Sequence, residues 1–185
     1  LPAALISAIA KISFQNHRHG RPAEVFSNVN LDMLNFVKME GYLTAIYLRL
    51  QSDCTLSYSL AGIPGPFLLR YRTGEIMRLP GTGTLLGMFL NASDFFSEEP
   101  LTLEPGDKLF IYTDGITEST DRTGQQYGEE RLKSAIAQTR EMNAEEASQF
   151  VLRSYRQFML GSSVHDDMTL LVMAASLKKD EYDSH

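Results

Sequence analysis

The chain has 185 residues, of which 43% are hydrophobic and 22% are charged, a composition that is ordinary for one soluble globular domain. The 17 basic and 23 acidic residues give a net charge of −6, and an acidic chain without a basic stripe argues against nucleic-acid binding. No apolar run approaches the roughly 18 residues of a membrane span. A single cysteine, Cys54, excludes an intrachain disulfide and is typical of a reducing compartment. We therefore expect a cytoplasmic protein that binds neither nucleic acid nor membrane.

The first residues already have the pattern of a helix. Leu1 replaces the usual Met, and Pro2 is followed directly by apolar residues, as in a first helical turn. A basic segment and a small-residue cleavage site, which would indicate a signal peptide, are not visible. We therefore expect the chain to be a fragment of a longer protein.

The next segments predict one more helix and then a run of strands. The polar residues 15–20 predict a loop, and apolar residues at helical spacing predict a second helix from Pro22. From Tyr42 the period changes to two, which predicts strands over 42–50 and 56–60. Residues 67–71 and 76–79 flank a hairpin turn at 72–75. Together these strands predict a β-meander.

The second half of the chain alternates loops, strands and helices. A Gly- and Thr-rich loop over 80–87 precedes strands over 95–103 and 108–113, which are joined by the turn 104–107. Helices are predicted over 128–139 and 143–160, the latter with Asn143 and Glu146 as a capping box. The apolar run 168–175 predicts a buried strand. We expect one domain over residues 1–177 and a disordered tail over 178–185.

Acidic residues lie where two of the apolar strands end or begin. Asp114 follows the apolar run 109–113 and precedes Gly115, whereas Asp166 and Asp167 come directly before the last strand. Hard divalent cations prefer such carboxylate oxygens. If the two strands are antiparallel neighbours, Asp114 and Asp166 lie at one edge of a sheet. There they could hold two metal ions about 3.5–4 Å apart, an arrangement that activates water for attack on a phosphate ester.

The candidate residues also have structural explanations that involve neither catalysis nor metal binding. Asp-Gly is common in turns, so Asp114 could simply close a turn and Asp166 could lie in a solvated loop. His17 and His19 are better explained as exposed surface residues than as a metal site. His165 is better explained as a solvated loop residue than as a general acid. Cys54 has no partner that would make it a nucleophile.

A series of short motifs runs along almost the whole chain: LPAAL at 1–5, PAEV at 22–25, YSLAG at 58–62, PFLL at 66–69, LG at 86–87, LEPGDKLFIYTDGITE at 103–118, YGEERL at 127–132 and DDMTLLV at 166–172. In content and order, these motifs resemble the SpoIIE/RsbU-like branch of the metal-dependent protein phosphatase 2C (PP2C) superfamily. The long central run and the final Asp-Asp-Met-Thr are the most specific parts of the resemblance.

This resemblance implies an α/β fold, an α-β-β-α sandwich of mainly antiparallel strands that carries two manganese or magnesium ions. It implies that Asp114 and Asp166 are metal ligands, while Gly115, Asp167 and Glu118 lie beside them without coordinating. Glu118 is equally well explained as a charge at a helix start. The implied reaction is hydrolysis of phosphoserine on an anti-anti-sigma-type regulator by a metal-activated water. An upstream sensory or receiver domain is implied as well, and the loop 80–87 would help to frame the substrate.

The sequence departs from the family at two places. The Asp-Val-Ser-Gly-His-Gly segment, which supplies the Asp that bridges the two metals, is not in this chain, so we expect an incomplete N-terminus. We expect another copy, forming a homodimer, or the chain's own tail to cover the resulting sheet edge. Ile63 stands where many relatives have His; that His is not a metal ligand in the family's pattern, so its replacement implies altered tuning rather than lost chemistry. Because some relatives keep the fold and lose metal ligands, a phosphatase-like interaction module that binds a regulator or adaptor client is an alternative to the enzyme.

Overall fold

The computed structural model describes residues 3–37, 41–51, 55–162 and 167–176. In chain order, the elements are α1 (Ala3–His17), α2 (Pro22–Val37), β1 (Ala45–Leu50), β2 (Thr55–Ala61), β3 (Phe67–Leu69), β4 (Ile76–Arg78), a 3₁₀ turn (Ala92–Phe95), β5 (Glu99–Thr102), β6 (Lys108–Tyr112), α3 (Asp114–Thr117), α4 (Gly128–Ala137), α5 (Ala144–Phe158) and β7 (Leu170–Ala174). They form two compact units, one from Leu1–Ile63 with Pro80–Thr102 and one from Pro64–Leu79 with Leu103–His185. Both sheets are antiparallel, which confirms the expected mixed α/β class.

The first unit packs two helices on a three-stranded sheet of order β1-β2-β5. The apolar stripe predicted for the second helix is the buried face of α2, where Phe26, Val29, Met33 and Val37 are at most 1% exposed. Asn30 on the same helix is also buried, and it accepts a hydrogen bond from the Gly87 amide at 2.8 Å. The loop 80–87 is thereby fixed to α2 at its last residue.

The loop predicted over 15–20 begins too early, because α1 continues through His17. The reason is a contact between helices that local composition does not show. Asp32 of α2 accepts a hydrogen bond from the Ser13 hydroxyl at 2.6 Å and lies 3.0 Å from His17 Nε2. These bonds attach the last turn of α1 to α2.

The second unit packs α4 and α5 on a four-stranded sheet of order β4-β3-β6-β7. Its buried core contains residues from both helices and from the central strands: Phe67, Leu69, Phe110, Tyr112, Ile116, Tyr127, Leu132, Ala135, Ile136, Ala147, Val151, Tyr155 and Met159. The predicted capping box is present, since Asn143 accepts from the Glu146 amide while the Glu146 carboxylate accepts from the Asn143 amide.

Three strand predictions need correction. The prediction of a single β-meander is wrong, because β1 and β2 belong to one sheet whereas β3 and β4 belong to the other. The strand predicted from residue 95 begins only at Glu99, since a 3₁₀ turn occupies Ala92–Phe95. The last strand, β7, is not buried: it lies at the edge of its sheet, and Leu171 is 47% exposed.

The predicted turn before β6 is closed by a buried aspartate. The Asp107 amide donates to the Glu104 carbonyl at 3.0 Å. Its carboxylate accepts from the amides of Glu104 and Tyr71, both at 2.9 Å, and from the Arg70 guanidinium at 2.5 Å. Since Asp107 is fully buried, its charge depends on these donors for stabilisation.

In the part of the chain that the structure describes, no helix combines the length and the apolar character needed to cross a bilayer. The predicted tail over 178–185, and Cys54, lie outside the described residues.

We expect Asp107→Ala to lower the free energy of unfolding by about 3 kcal/mol, because two amides lose their acceptor in a buried turn and the Arg70 guanidinium loses one ion-pair partner. Chemical denaturation monitored by circular dichroism measures the loss. Asp121→Ala is the matched control, because Asp121 also accepts from two backbone amides but is only half-buried, and we expect a much smaller change. Equal losses in both variants would contradict a special role for the buried pair.

Candidate active site at one end of beta strands 6 and 7

Strands β6 and β7 are antiparallel neighbours, so the end of one lies beside the beginning of the other. Tyr112 pairs with Leu170 at this end of the ladder. Beyond the ladder, the Thr113 amide donates to the Thr169 carbonyl at 3.1 Å and the Thr169 amide donates to the Thr113 hydroxyl at 2.9 Å. The strand relation expected from the sequence is confirmed, and it brings the residues after β6 to the residues before β7.

The chain segments of Asp114 and Asp167 approach each other across Gly115. A Cβ atom on Gly115 would lie 2.5 Å from the carbonyl oxygen of Asp167, which is too close for any side chain. Both aspartates are exposed, so their carboxylates reach solvent from a backbone that two strands hold in place. Exposed carboxylate oxygens on such a fixed backbone are of the kind that a hard cation prefers.

The competing interpretation placed Asp114 in an isolated turn. In the structure, Asp114 is the first residue of α3, a single turn of helix that is closed by a hydrogen bond from the Glu118 amide to the Asp114 carbonyl at 2.8 Å. Ile116, in the middle of this turn, is completely buried in the core of the unit. The buried side chain fixes the turn, and Asp114 is left at its exposed start.

A hydrogen-bond relay connects α3 to the long helix α5. The Ser119 hydroxyl donates to the Gly115 carbonyl at 2.6 Å and lies 2.8 Å from the Tyr155 hydroxyl. Tyr155 is 1% exposed, so the relay is anchored in the core. Sequence reasoning missed both Ser119 and Tyr155; the signal for Tyr155 was its spacing of four residues from Val151 and eight from Ala147, which marks one helix face.

The other residues singled out in the sequence are placed as follows. Glu118 is exposed and ends α3 through its backbone amide. Asp166 and His165 lie outside the described residues, so the expected proximity of Asp114 and Asp166 stays a prediction. Within the described ranges, no group of three or more His, Cys, Asp or Glu side chains is gathered into a metal-binding cluster.

Two pKa shifts near this end of the sheet have clear causes. Burial, with a contribution from the charge of Glu129, raises the pKa of Tyr112 to about 12, so its hydroxyl stays neutral at physiological pH. In the hairpin after α3, a hydrogen bond from the Thr123 side chain, followed by the Gln125 amide, lowers the pKa of Asp121. Neither shift turns its group into a base at physiological pH.

Comparison with known proteins gives the family. The family model of Stage II sporulation protein E (SpoIIE) matches residues 1–176. The chain belongs to the SpoIIE family. This places it among the PP2C-like phosphatases, and the family resemblance seen in the sequence motifs is confirmed.

Relatives of this SpoIIE-family chain include larger proteins. It is 26% identical over 184 residues to the phosphoserine phosphatase RsbU of Bacillus subtilis, covering 94% of this chain and 51% of RsbU. It is 30% identical over 126 residues to Protein IcfG of Synechocystis sp., covering 66% of this chain and 19% of IcfG. The chain therefore spans about half of one of these relatives and about a fifth of the other.

Solved structures agree on the fold. The SiaA-PP2C domain of Pseudomonas aeruginosa matches with a TM-score of 0.78 at 16% identity, covering 94% of this chain and 70% of that one. RsbX in complex with magnesium matches with a TM-score of 0.61 at 20% identity, covering 90% of this chain and 71% of that one. At these identities the likeness establishes a PP2C fold for the SpoIIE-family chain.

We expect Gly115→Ala to lower the free energy of unfolding by about 1–3 kcal/mol, because the new methyl group overlaps the Asp167 carbonyl and pushes β7 from β6. Thermal unfolding measures the loss, and amide exchange should increase at Thr113 and Thr169. Gly20→Ala is the control, since a Cβ there would have its nearest neighbours at 3.4 Å. An unchanged stability of Gly115→Ala would mean that the two segments are not in close contact.

Proposed function

We propose that this chain is the catalytic part of a metal-dependent protein serine/threonine phosphatase that hydrolyses phosphoserine on a regulatory protein of the anti-anti-sigma type. The observation that carries the proposal is the meeting of the Asp114 and Asp167 segments across Gly115. Family membership supports the reaction class, and RsbU is itself a phosphoserine phosphatase by name.

The donor atoms at this edge are of the type that a manganese or magnesium centre requires. Exposed carboxylates on fixed backbone are the donors that both ions prefer. We assign Asp114 and Asp166 as ligands, with Gly115, Asp167 and Glu118 beside them. A pair of such ions, when bound, supplies an activated water and neutralises charge on the phosphate group.

The chain's own residues have three tasks in this proposal. Asp114 presents an oxygen at a position set by the buried Ile116 and by the end of β6. Gly115 permits the close approach of the segment before β7. Ser119 and Tyr155 hold the Gly115 carbonyl, so that α3 keeps its orientation while the substrate binds. Fixed positioning of this kind is a large part of what catalysis requires.

The setting of the activity follows from the family resemblance. We propose that the protein acts in the cytoplasm, in signal transduction during a stress response, under an upstream sensory or receiver domain, and that it can form a homodimer. The loop 80–87 is proposed to frame the phosphorylated protein.

One observation favours the alternative, a phosphatase-like interaction module. The residues that the structure describes gather no cluster of three candidate metal ligands. The absence of the family's Asp-Val-Ser-Gly-His-Gly segment argues for the module only if the longer protein lacks it too. In this alternative, the same edge would bind a regulator without hydrolysing it. Manganese affinity distinguishes the two proposals.

We expect Asp114→Asn to abolish manganese-dependent phosphatase activity in the full-length protein while the fold persists. Removing one negative ligand weakens a hard-cation site, whereas an exposed side chain contributes little to packing. The activity is measured as phosphate release from a phosphoserine regulator, with isothermal titration of manganese and thermal unfolding in parallel.

Glu130→Gln is the matched control, because Glu130 is an exposed carboxylate on α4 whose partner is Lys133. We expect it to keep both activity and manganese affinity. Wild-type activity in Asp114→Asn would show that Asp114 is only the start of α3. Specific binding of the regulator without manganese-dependent turnover in the unaltered protein would favour the interaction module.

We also expect this chain by itself to bind manganese weakly and to turn over slowly, since each charged ligand that is missing lowers cation affinity. The same titration and phosphate-release assay, run on the 185-residue chain, measure both quantities. Tight binding of two ions with steady turnover would contradict the ligand assignment.

A further inference from the structure

The second unit has a cavity at the end of β6 and β7 opposite to the candidate active site. It has a volume of about 330 Å³, which is at the small end for ligand sites, and its walls come from the start of β6, the end of β7 and the first residues of α5. The proposed phosphatase activity uses none of these residues.

A buried lysine lines this cavity. Lys108 is only 3% exposed, and its ammonium group donates to the Arg140 carbonyl at 2.6 Å. An ammonium has three N–H donors; in the described part of the chain one of them has a hydrogen-bond acceptor, and the ammonium also lies 5.8 Å from the centre of the Tyr71 ring, within the range of a cation–π contact. Burial lowers the pKa of Lys108, although the charges of Glu141 and Asp107 oppose the shift. A buried cation with unused donors is a place where an oxygen ligand gains more than it would at the surface.

The surroundings of Lys108 favour a single negative charge. Arg140 adds a second cation, whose guanidinium is fixed by hydrogen bonds to the carbonyls of Tyr71 and Arg72. Glu141 supplies one opposing charge at the exposed rim, where it accepts from the Tyr71 hydroxyl at 2.9 Å. The net charge of these three side chains is one positive, and the neighbouring Asp107 carboxylate is balanced by its ion pair with Arg70.

The remaining walls add a helix end and an apolar surface. The 15-residue helix α5 begins at Ala144, on the cavity wall. The Asn143 side chain already accepts from the Glu146 amide, and Glu145 and Glu146 place negative charge in the first turn, so only the first two amides of the helix remain as donors for an anion. Met142, Ala174 and Ala175 contribute apolar surface. The cavity thus combines donors for one oxyanion with a surface for a short hydrocarbon chain.

We propose that this cavity binds a small organic monocarboxylate. Its carboxylate accepts hydrogen bonds from the Lys108 ammonium and the start of α5, and its apolar part lies against Met142 and Ala174. The site is separate from the candidate active site, and the proposal does not depend on the phosphatase activity.

Butyrate is the probe, followed by amide chemical shifts in a nitrogen-15 NMR titration of the chain. We expect saturable shifts at Ala144 and Ala175 with a dissociation constant in the millimolar range, since a ligand of so few atoms cannot bind tightly. Butylamine, which has the same hydrocarbon chain and the opposite charge, should give no saturable shift. Absence of saturation with butyrate, or an equal response to butylamine, would overturn the proposal and leave a cavity filled by water.

Three variants test the assignment of residues. Lys108→Met should weaken butyrate binding at least about tenfold, the effect of losing one hydrogen bond to a charged group. Lys133→Met, the same change on α4 outside the cavity, should leave binding unaltered. Glu141→Gln removes the opposing charge at an exposed position and should tighten binding about threefold or more. Unchanged binding in a folded Lys108→Met protein, or unchanged or weaker binding in Glu141→Gln, would overturn the proposal; the latter variant decides the matter if Lys108→Met does not fold.

Discussion

The contact between Gly115 and the Asp167 carbonyl is the constraint on which the candidate site depends. Two strands can pair in an antiparallel ladder without bringing the segments beyond the ladder together, because chains usually diverge after the last pair. Here the two bonds between Thr113 and Thr169 extend the pairing, and the missing side chain at Gly115 allows the next residues to approach as well. The exposed carboxylates of Asp114 and Asp167 are therefore presented by backbone that cannot separate without breaking the edge of the sheet.

Support for this edge comes from the core rather than from the carboxylates themselves. Ile116 is buried beneath α3, and Tyr155 reaches the Gly115 carbonyl through Ser119. At the other end of β6, the buried Asp107 holds the turn that starts the strand. Both ends of β6 are thus fixed by residues other than the exposed aspartates. This separation is the usual arrangement in which a rigid scaffold positions functional residues at strand ends.

The sequence predicted the elements with strong periodicity and missed those set by distant contacts. The stripe of α2 and the capping box of α5 were correct because apolar spacing and capping chemistry are local properties of the chain. The division of the strands between two sheets was missed, because hairpin signals identify neighbours along the chain but not the sheet to which each pair belongs. The edge position of β7 was missed for a related reason: an apolar run predicts a strand, but its exposure depends on what packs beside it.

At the candidate site, the resemblance to the family's motifs singled out Asp114 as a candidate ligand. The structure adds the reason why the next residue, Gly115, is a glycine. An Asp-Gly pair has the same composition in a turn and at a metal centre, so composition alone left both interpretations open. The buried Ile116 and the close approach across Gly115 explain how this pair is held in place, and metal binding by Asp114 stays a prediction. Glycine at position 115 is thus explained by the neighbour opposite it and not by backbone conformation. The same logic applies to Ser119, whose hydroxyl has a partner on each side and whose role follows only from the helix that the chain brings beside it later.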